Sequence, residues 1–380
     1  MSTRPTWIDI SLPQLAENYR IIRNHVGPDR AMMAIVKADA YGHGLEQIAT
    51  ALARLGVEWF GVTSADEGIA LRRLGIAQPI LLLTGFWEGE QSALTDFDLV
   101  PAIYSEDQLV SLEDWGQHVG KRIRFHLKVN TGMGRLGIHW QETDSFLRTY
   151  ARMAHVELEG LFAQFAAAED FTGRQTEEQA ERFHSVEEAL ARAGVHPRYS
   201  HQANSAAIVS RPDTWGNMVR PGLLLYGYQL PVRAPEGSPE PLCRSLPIRE
   251  ILTFRTRVIA VKQVPAGIAL GYGGHYVTPR ASRIAIIPAG YADGLDRRLS
   301  GHGKVIICGQ YAPIVGNISM DLTLVDVTDI PQPSVGEEVI LIGRQGECSL
   351  TALDMAEMAG TIPYEILCGI NKRVPRRYLP

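Results

Sequence analysis

The sequence predicts an α/β protein: a (β/α)8 barrel of the TIM type followed by a mostly β C-terminal domain. Three observations carry this prediction. Up to Gly227, short apolar runs alternate with amphipathic stretches. A proline-dense stretch then interrupts the pattern. Beyond it the apolar runs become short, rich in β-branched residues and bounded by Gly or Pro. Strands alternating with helices imply a parallel sheet, and eight such units close a barrel.

The candidate barrel strands begin near Met32, Trp59, Pro79, Leu99, Arg124, Val156, Arg198 and Met218. Helical patterns lie between them. In Leu45 to Leu55, apolar or small residues recur at Leu45, Ile48, Ala49, Leu52 and Leu55, one face of a helix. Residues 229 to 248 hold Pro231, Pro235, Pro239, Pro241 and Pro247, which suits a connecting segment. We therefore divide the chain into a barrel domain, 1–240, and a β-rich domain, 241–380. Its candidate strands are Val258 to Val264, Ile284 to Ile287, Val305 to Cys308, Leu322 to Val327 and Val339 to Ile342. Alternation at Trp7, Ile8 and Ile10 reads as an extra strand, so the first ten or so residues can pack with the C-terminal domain.

The chain of 380 residues is too long for one ordinary core. Hydrophobic residues make up 45% and charged residues 21%, ordinary for a soluble protein. A net charge of -5 argues against nucleic-acid and anionic-membrane partners. No apolar run reaches the ~18 residues of a membrane span, and the N-terminus lacks a secretory pattern. Cys243, Cys308, Cys348 and Cys368 are scattered, which reads as reduced thiols in a cytoplasmic protein. No H-E-x-x-H, P-loop or G-x-S-x-G is present, and no metal is expected.

In such a barrel, catalytic groups sit at the carboxyl ends of strands. Lys37 closes the first candidate strand, within Ala34-Ile-Val-Lys-Ala-Asp-Ala-Tyr-Gly-His-Gly44. A partly desolvated lysine there is either a Schiff-base amine or a side chain snorkelling out of the barrel. Tyr41, with Gly42 and Gly44, fits a phosphate-approaching turn or a plain loop. Lys128 and Arg135 bracket the end of the fifth strand, an anion site or a solvated loop. Asn204 or Ser205, just after His201 and the seventh strand, caps the next helix, and Arg220 ends the eighth. The loops after strands seven and eight often hold phosphate in barrels. In the second domain, Tyr272 stands between glycines in Gly271-Tyr-Gly-Gly-His275.

Together these segments resemble the alanine racemase family, and the resemblance runs through nearly the whole chain. The stretch around Lys37 is similar to the family's pyridoxal-phosphate lysine signature. Those around Lys128, His201, Arg220, Tyr272, Tyr291, Met320-Asp321 and Tyr364 follow in the family's order. The resemblance implies a homodimer with shared active sites, acting on L-alanine and D-alanine with pyridoxal 5'-phosphate and supplying D-alanine for the cell wall. It implies that Lys37 carries the cofactor and, with Tyr272 of the second subunit, moves protons. Tyr41, Ser205, Gly222, Leu223 and Tyr364 would hold the phosphate, with Arg220 facing the pyridine nitrogen. Arg135 would face the phenolic oxygen and the substrate carboxylate. Met320 would offer its backbone amide to that carboxylate, Tyr291 would line the entry, and His201 would support Tyr272. Lys128 matches a lysine that is often carbamylated.

The chain departs from the family pattern at Ala163 and Gln164, where Thr and His are common, at Asn130 for Asp, and at Ser319 for Cys. The rival readings are a broader amino-acid (serine) racemase, an amino-acid decarboxylase or D-amino-acid dehydratase on a similar barrel, and a non-catalytic pyridoxal-phosphate-binding barrel. Arg220 in place of a carboxylate opposes the decarboxylase, and the substantial β domain opposes the binding protein.

Overall fold

A computed structural model describes residues 4–237, 243–331 and 333–380. The expected domain boundary at 240/241, with Pro239 and Pro241, lies outside the described residues. The described residues of Ala16–Ala38 and Leu45–Ile248 form one unit, and those of Met1–Leu15, Asp39–Gly44 and Arg249–Pro380 form the other. The chain thus leaves the barrel unit just after Lys37 and returns to it at Leu45.

The first strand, β1 (Thr6–Ser11), belongs to the second unit. The barrel strands follow: β2 (Ala31–Ile35), β3 (Trp59–Val62), β4 (Ile80–Leu82), β5 (Leu99–Ile103), β6 (Ile123–Asn130), the short β7 (Ile138–His139), β8 (Val156–Phe162), β9 (Tyr199–His201) and β10 (Met218–Val219). Their order is β10-β2-β3-β4-β5-β6-β8-β9, every pairing parallel, with β7 beside β6. All eight expected barrel strands are present. Between β9 and β10 the closure is sparse: an isolated bridge joins Asn204 to Arg220, and the Arg220 N–H donates to the Ala203 carbonyl at 2.9 Å. Side chains such as Trp59, Phe60, Phe125 and Phe162 are fully buried and fill the unit.

The second unit holds β11 (Leu252–Arg257), β12 (Ala260–Val264), β13 (Ala269–Leu270), β14 (Tyr276–Val277), β15 (Ser282–Ile287), β16 (Lys304–Ile307), β17 (Gln310–Val315), β18 (Thr323–Asp326), β19 (Glu338–Gln345), β20 (Cys348–Leu350) and β21 (Arg376–Leu379). One sheet runs β12-β15-β18-β17-β16-β19-β11-β1-β21, with β20 on β19. Strand β1 is antiparallel to β11 and parallel to β21, so the N-terminal residues are built into this sheet. Among the described residues no helix is long and apolar enough to cross a membrane.

Candidate active site

The segment after β2 has an unusual backbone. Lys37 lies two residues beyond the strand, not within it as its apolar run suggested. Ala38, Asp39, Ala40 and Tyr41 all take φ of 53–55°, forming a left-handed turn from residues that are not glycine. Such a conformation costs roughly 1–2 kcal/mol per residue, so surrounding bonds must hold it. At its start, Glu67 accepts the Ala38 N–H at 2.7 Å on one oxygen and the Thr63 N–H at 2.8 Å on the other. That carboxylate sits in the first turn of the helix Ala65–Arg73, which Ser64 caps. The Ile35 carbonyl, one turn earlier, accepts the Tyr226 hydroxyl at 2.9 Å.

The rest of the turn is held within the β unit. The His43 Nδ1 lies 3.0 Å from the Ala40 carbonyl and 2.9 Å from that of Tyr41, so this nitrogen carries the proton. Arg376 donates Nε and Nη2 to the Gly42 carbonyl at 3.1 and 3.0 Å. Gly42 has φ of +79°, and a Cβ there would stand 2.3 Å from the Leu367 carbonyl oxygen, so no other residue fits. The Tyr41 and Tyr364 rings meet edge-on, 5.6 Å between centroids. Burial pushes the Tyr41 phenol well above its ordinary range, leaving it a neutral donor.

Inside the barrel unit the polar groups form a cationic cluster. Successive side chains on β6 alternate, so His126 and Lys128 share a face. Lys128 is buried, donates to the Leu83 carbonyl at 3.0 Å and sits over the Phe162 ring at 5.4 Å. Burial, then the charges of Arg135, Arg220 and Lys37, bring its ammonium down to about 7. The Asn130 side chain accepts the Gly132 and Gly134 N–H groups at 3.2 and 2.9 Å, shaping the loop that presents exposed Arg135. Gln179 braces the same region: its amide nitrogen donates to Thr131 Oγ1 and the Gln164 carbonyl, and its oxygen accepts the Ala166 N–H.

Arg220 is 4% exposed and, among the described residues, has no carboxylate partner. Nη1 donates to Nδ1 and the carbonyl of His201, both at 2.8 Å. Nη2 reaches the carbonyls of Ala163 at 2.8 Å and Gln202 at 2.9 Å, and Gln164 Oε1 at 3.2 Å. Desolvation lowers the guanidinium to about 9. His201 Nε2 lies 2.9 Å from His126 Nδ1. Beside this hub, Ser205 Oγ accepts the Gly222 N–H at 2.9 Å, and Asn204 caps the helix Ser205–Ser210. Among the described residues the Leu223 N–H has no acceptor.

The β unit gathers Tyr272, Tyr291 and Met320 on one surface. Asn317 donates to the Tyr272 carbonyl at 2.7 Å. Tyr291 N–H donates to the Ser319 carbonyl at 3.0 Å, and Ala292 N–H to that of Met320 at 3.1 Å. A Cβ at Gly290 would stand 2.3 Å from the Ser319 oxygen, so the glycine permits this approach. Fully buried Asp293 anchors the surface from beneath through Arg4, Arg373 and the Gly290 N–H, and Arg373 also pairs with Asp321 at 2.8 Å. Tyr272 is 76% exposed, Met320 53% and Tyr291 43%.

Each unit therefore brings part of the expected set together. Lys37, Lys128, Arg135, His201, Ser205, Arg220, Gly222 and Leu223 belong to the barrel unit; Tyr41, Tyr364, Tyr272, Tyr291 and Met320 belong to the β unit. Sequence reasoning missed His126, although its period-two spacing from Lys128 on an apolar strand was a usable signal. It also missed Glu67, Gln179, Asp293 and Arg373, whose partners are distant in sequence.

Family models for the alanine racemase N-terminal domain and C-terminal domain match residues 10–230 and 251–378. The chain thus joins the two-domain class in which a racemase barrel precedes a β domain. Over 376 residues it is 39% identical to the alanine racemase of Halothermothrix orenii, covering 99% of this chain and 97% of that one. The alanine racemase of Clostridium difficile 630 superposes with a TM-score of 0.91 at 33% identity, covering 100% of this chain and 97% of that one. The alanine racemase of Bartonella henselae with covalently bound pyridoxal phosphate gives 0.87 at 30% identity, covering 99% of both chains. This chain belongs to the alanine racemase family.

Proposed function

We propose that this protein interconverts L-alanine and D-alanine with pyridoxal phosphate held by Lys37. The observation that carries the reading is the buried hub on Arg220: among the described residues a cation without a carboxylate, grouped with Lys37, Lys128 and Arg135. Among the described residues Arg220, Lys128 and Arg135 form no ion pair with a carboxylate, which suits a ligand bearing anions, here a phosphate, a phenolic oxygen and a substrate carboxylate. A guanidinium also suits an unprotonated ring nitrogen, since it donates a hydrogen bond and keeps its proton. These residues fit the cofactor.

Bound there, pyridoxal phosphate supplies a conjugated ring that stabilises negative charge at the substrate α-carbon. The chain's own residues do the rest. Lys37 anchors the cofactor and moves the α-proton on the D-alanine face. Tyr272 of a second copy moves it on the L-alanine face, which its exposure in the single chain supports. Ser205, the amides of Gly222 and Leu223, and the phenols of Tyr41 and Tyr364 take the phosphate. Arg135 and the Met320 amide take the substrate carboxylate, and Tyr291 lines the entry. Lys128, near neutrality, is suited to carbamylation, and as a carbamate it would neutralise the Arg135 side of the cluster. The active form on this reading is a homodimer in the cytoplasm that supplies D-alanine for peptidoglycan.

The test is a visible absorbance band that borohydride abolishes, followed by polarimetry on L-alanine. The band with loss of optical rotation is expected. The band without it indicates a binding protein, and equal turnover of serine a broader racemase.

A further inference from the structure

Arg220 carries five N–H groups in a rigid fork. Four are engaged inside the barrel unit: both on Nη1 by His201, and both on Nη2 by the carbonyls of Ala163 and Gln202, with Gln164 Oε1 beside them. Among the described residues only Nε–H has no partner. The hydrogen-bond directions beyond it follow without ambiguity. A guanidinium only donates, so His201 Nδ1 is the unprotonated nitrogen of a neutral ring. The His201 proton is therefore on Nε2, 2.9 Å from His126 Nδ1, which must accept it. The His126 proton is then on Nε2, an atom that is buried without a partner.

That arrangement is built in and does not arise from loose packing. Both imidazoles are completely buried. His126 pairs with Gly160 across β6 and β8, and a Cβ at Gly160 would lie 2.5 Å from the His126 ring. The neighbouring strand thus omits a side chain where the ring stands. The ring also packs at 5.0 Å from Trp59 and stacks at 6.0 Å on Tyr199. A buried N–H without an acceptor is costly, so a ring retained in that state marks a role for its other nitrogen.

We propose that His126 is a positioning residue: by accepting from His201, it fixes the His201 tautomer and so holds Arg220 with Nε–H as the one donor offered to the cofactor ring nitrogen. Hydrogen bonds in such a chain polarise one another, so the bond into His126 makes His201 Nδ1 a stronger acceptor for the guanidinium. Without that bond, His201 Nε2–H is a buried donor with nothing to hold it, the ring is free to turn, and Arg220 loses its main side-chain anchor. The inference rests on the cofactor reading above and adds to it a residue that touches neither cofactor nor substrate.

The test combines ring-nitrogen NMR with two variants of equal size. In cofactor-loaded protein labelled with 15N-histidine, His201 and His126 should both be protonated on Nε2 and bare on Nδ1; a proton on either Nδ1 overturns the proposal. His126→Asn keeps a carbonyl acceptor near the Nδ1 position, and His126→Leu removes it, while both lose the same aromatic packing. The Leu variant should lose about ten- to a hundredfold in kcat, as expected for one hydrogen bond to a charged assembly. Its KM for alanine should hold within about twofold and its visible absorbance band should shift. The Asn variant should restore most of the rate and the band position. Equal loss in both variants, or no loss in either, overturns the proposal. If the Leu variant does not fold, the NMR measurement on the unmodified protein decides. Absence of any visible band in unmodified protein would instead defeat the cofactor reading, a separate outcome.

Discussion

The barrel unit and the β unit hold their polar groups in opposite ways. In the barrel, Arg220, His201, His126 and Lys128 are buried and bonded to one another or to carbonyls before any ligand arrives. In the β unit, Tyr272, Tyr291 and Met320 stand exposed, while the groups that fix their backbones, Asp293 and Asn317, lie beneath or beside them. The first arrangement preorganises charge. The second fixes backbone and leaves the side chains exposed. On the proposed function, the barrel groups need no rearrangement to receive a ligand, and the β face is the part that a second copy would use.

Four measurements test that contrast. Lys37→Ala should have the largest effect, a loss of racemisation beyond about 10⁴-fold together with the visible band. A band that survives would move the anchor elsewhere. Tyr272→Ala should cost about 10²–10⁴-fold but retain the band. In D2O it should exchange the α-proton of D-alanine faster than that of L-alanine, read by proton NMR. Mixing it with Lys37→Ala protein should restore activity if the exposed face serves a second copy; with subunit exchange confirmed, no recovery would place both groups in one chain.

Third, Asp293→Asn should weaken the support of the Tyr291–Met320 surface without touching the barrel hub. A rise in KM for alanine of about tenfold, with an unchanged band, is expected from one lost charge-assisted anchor. A shifted band would show that the two regions are not separable.

The last measurement concerns stability, not turnover: a pH dependence. The Lys128 ammonium falls from 10.5 in the unfolded chain to about 7 in the fold. Between those values the unfolded state binds more protons, so this group's contribution makes stability rise with pH. Below about 7 both states are charged and the full penalty, on the order of a few kcal/mol, is present. Lys128→Met should therefore be stabilising near pH 7, with the advantage shrinking toward pH 10 in urea titrations. A CO2-dependent Tm that the variant lacks would identify the carbamate.

Much of this architecture was legible in advance. Runs such as Leu99–Ile103 and Ile80–Leu82 are apolar throughout because both faces of a barrel strand are covered. In the β unit, β16 and β19 were clear for the same reason, whereas β17 was not, because its Gln-Tyr-Ala-Pro start reads as a turn. Strand β21 hides in Arg376-Arg-Tyr-Leu on a sheet edge, where Arg377 is exposed and Arg376 turns to the Gly42 carbonyl. The left-handed turn was invisible, since Ala, Asp, Ala and Tyr carry no mark of positive φ and the clamp from Arg376 is more than 330 residues away. His126 was not read from the sequence as a partner of His201, which is 75 residues distant.

The sparse seam between β9 and β10 gives Arg220 a further consequence, for folding. Side chains along a strand alternate, so a slip of one residue in the last strand would turn Arg220 away from the interior and bring a neighbour in. Only in the correct register does the guanidinium meet the carbonyls of residues 163, 201 and 202, which lie at the ends of the two preceding strands. A slipped register would take the guanidinium away from those acceptors. Ring closure is the most non-local event in the assembly of a barrel and the one backbone ladders here specify least. The chain has put at that joint a residue whose burial favours one alignment, so the guanidinium at the centre of the hub also favours the register in which the ring closes.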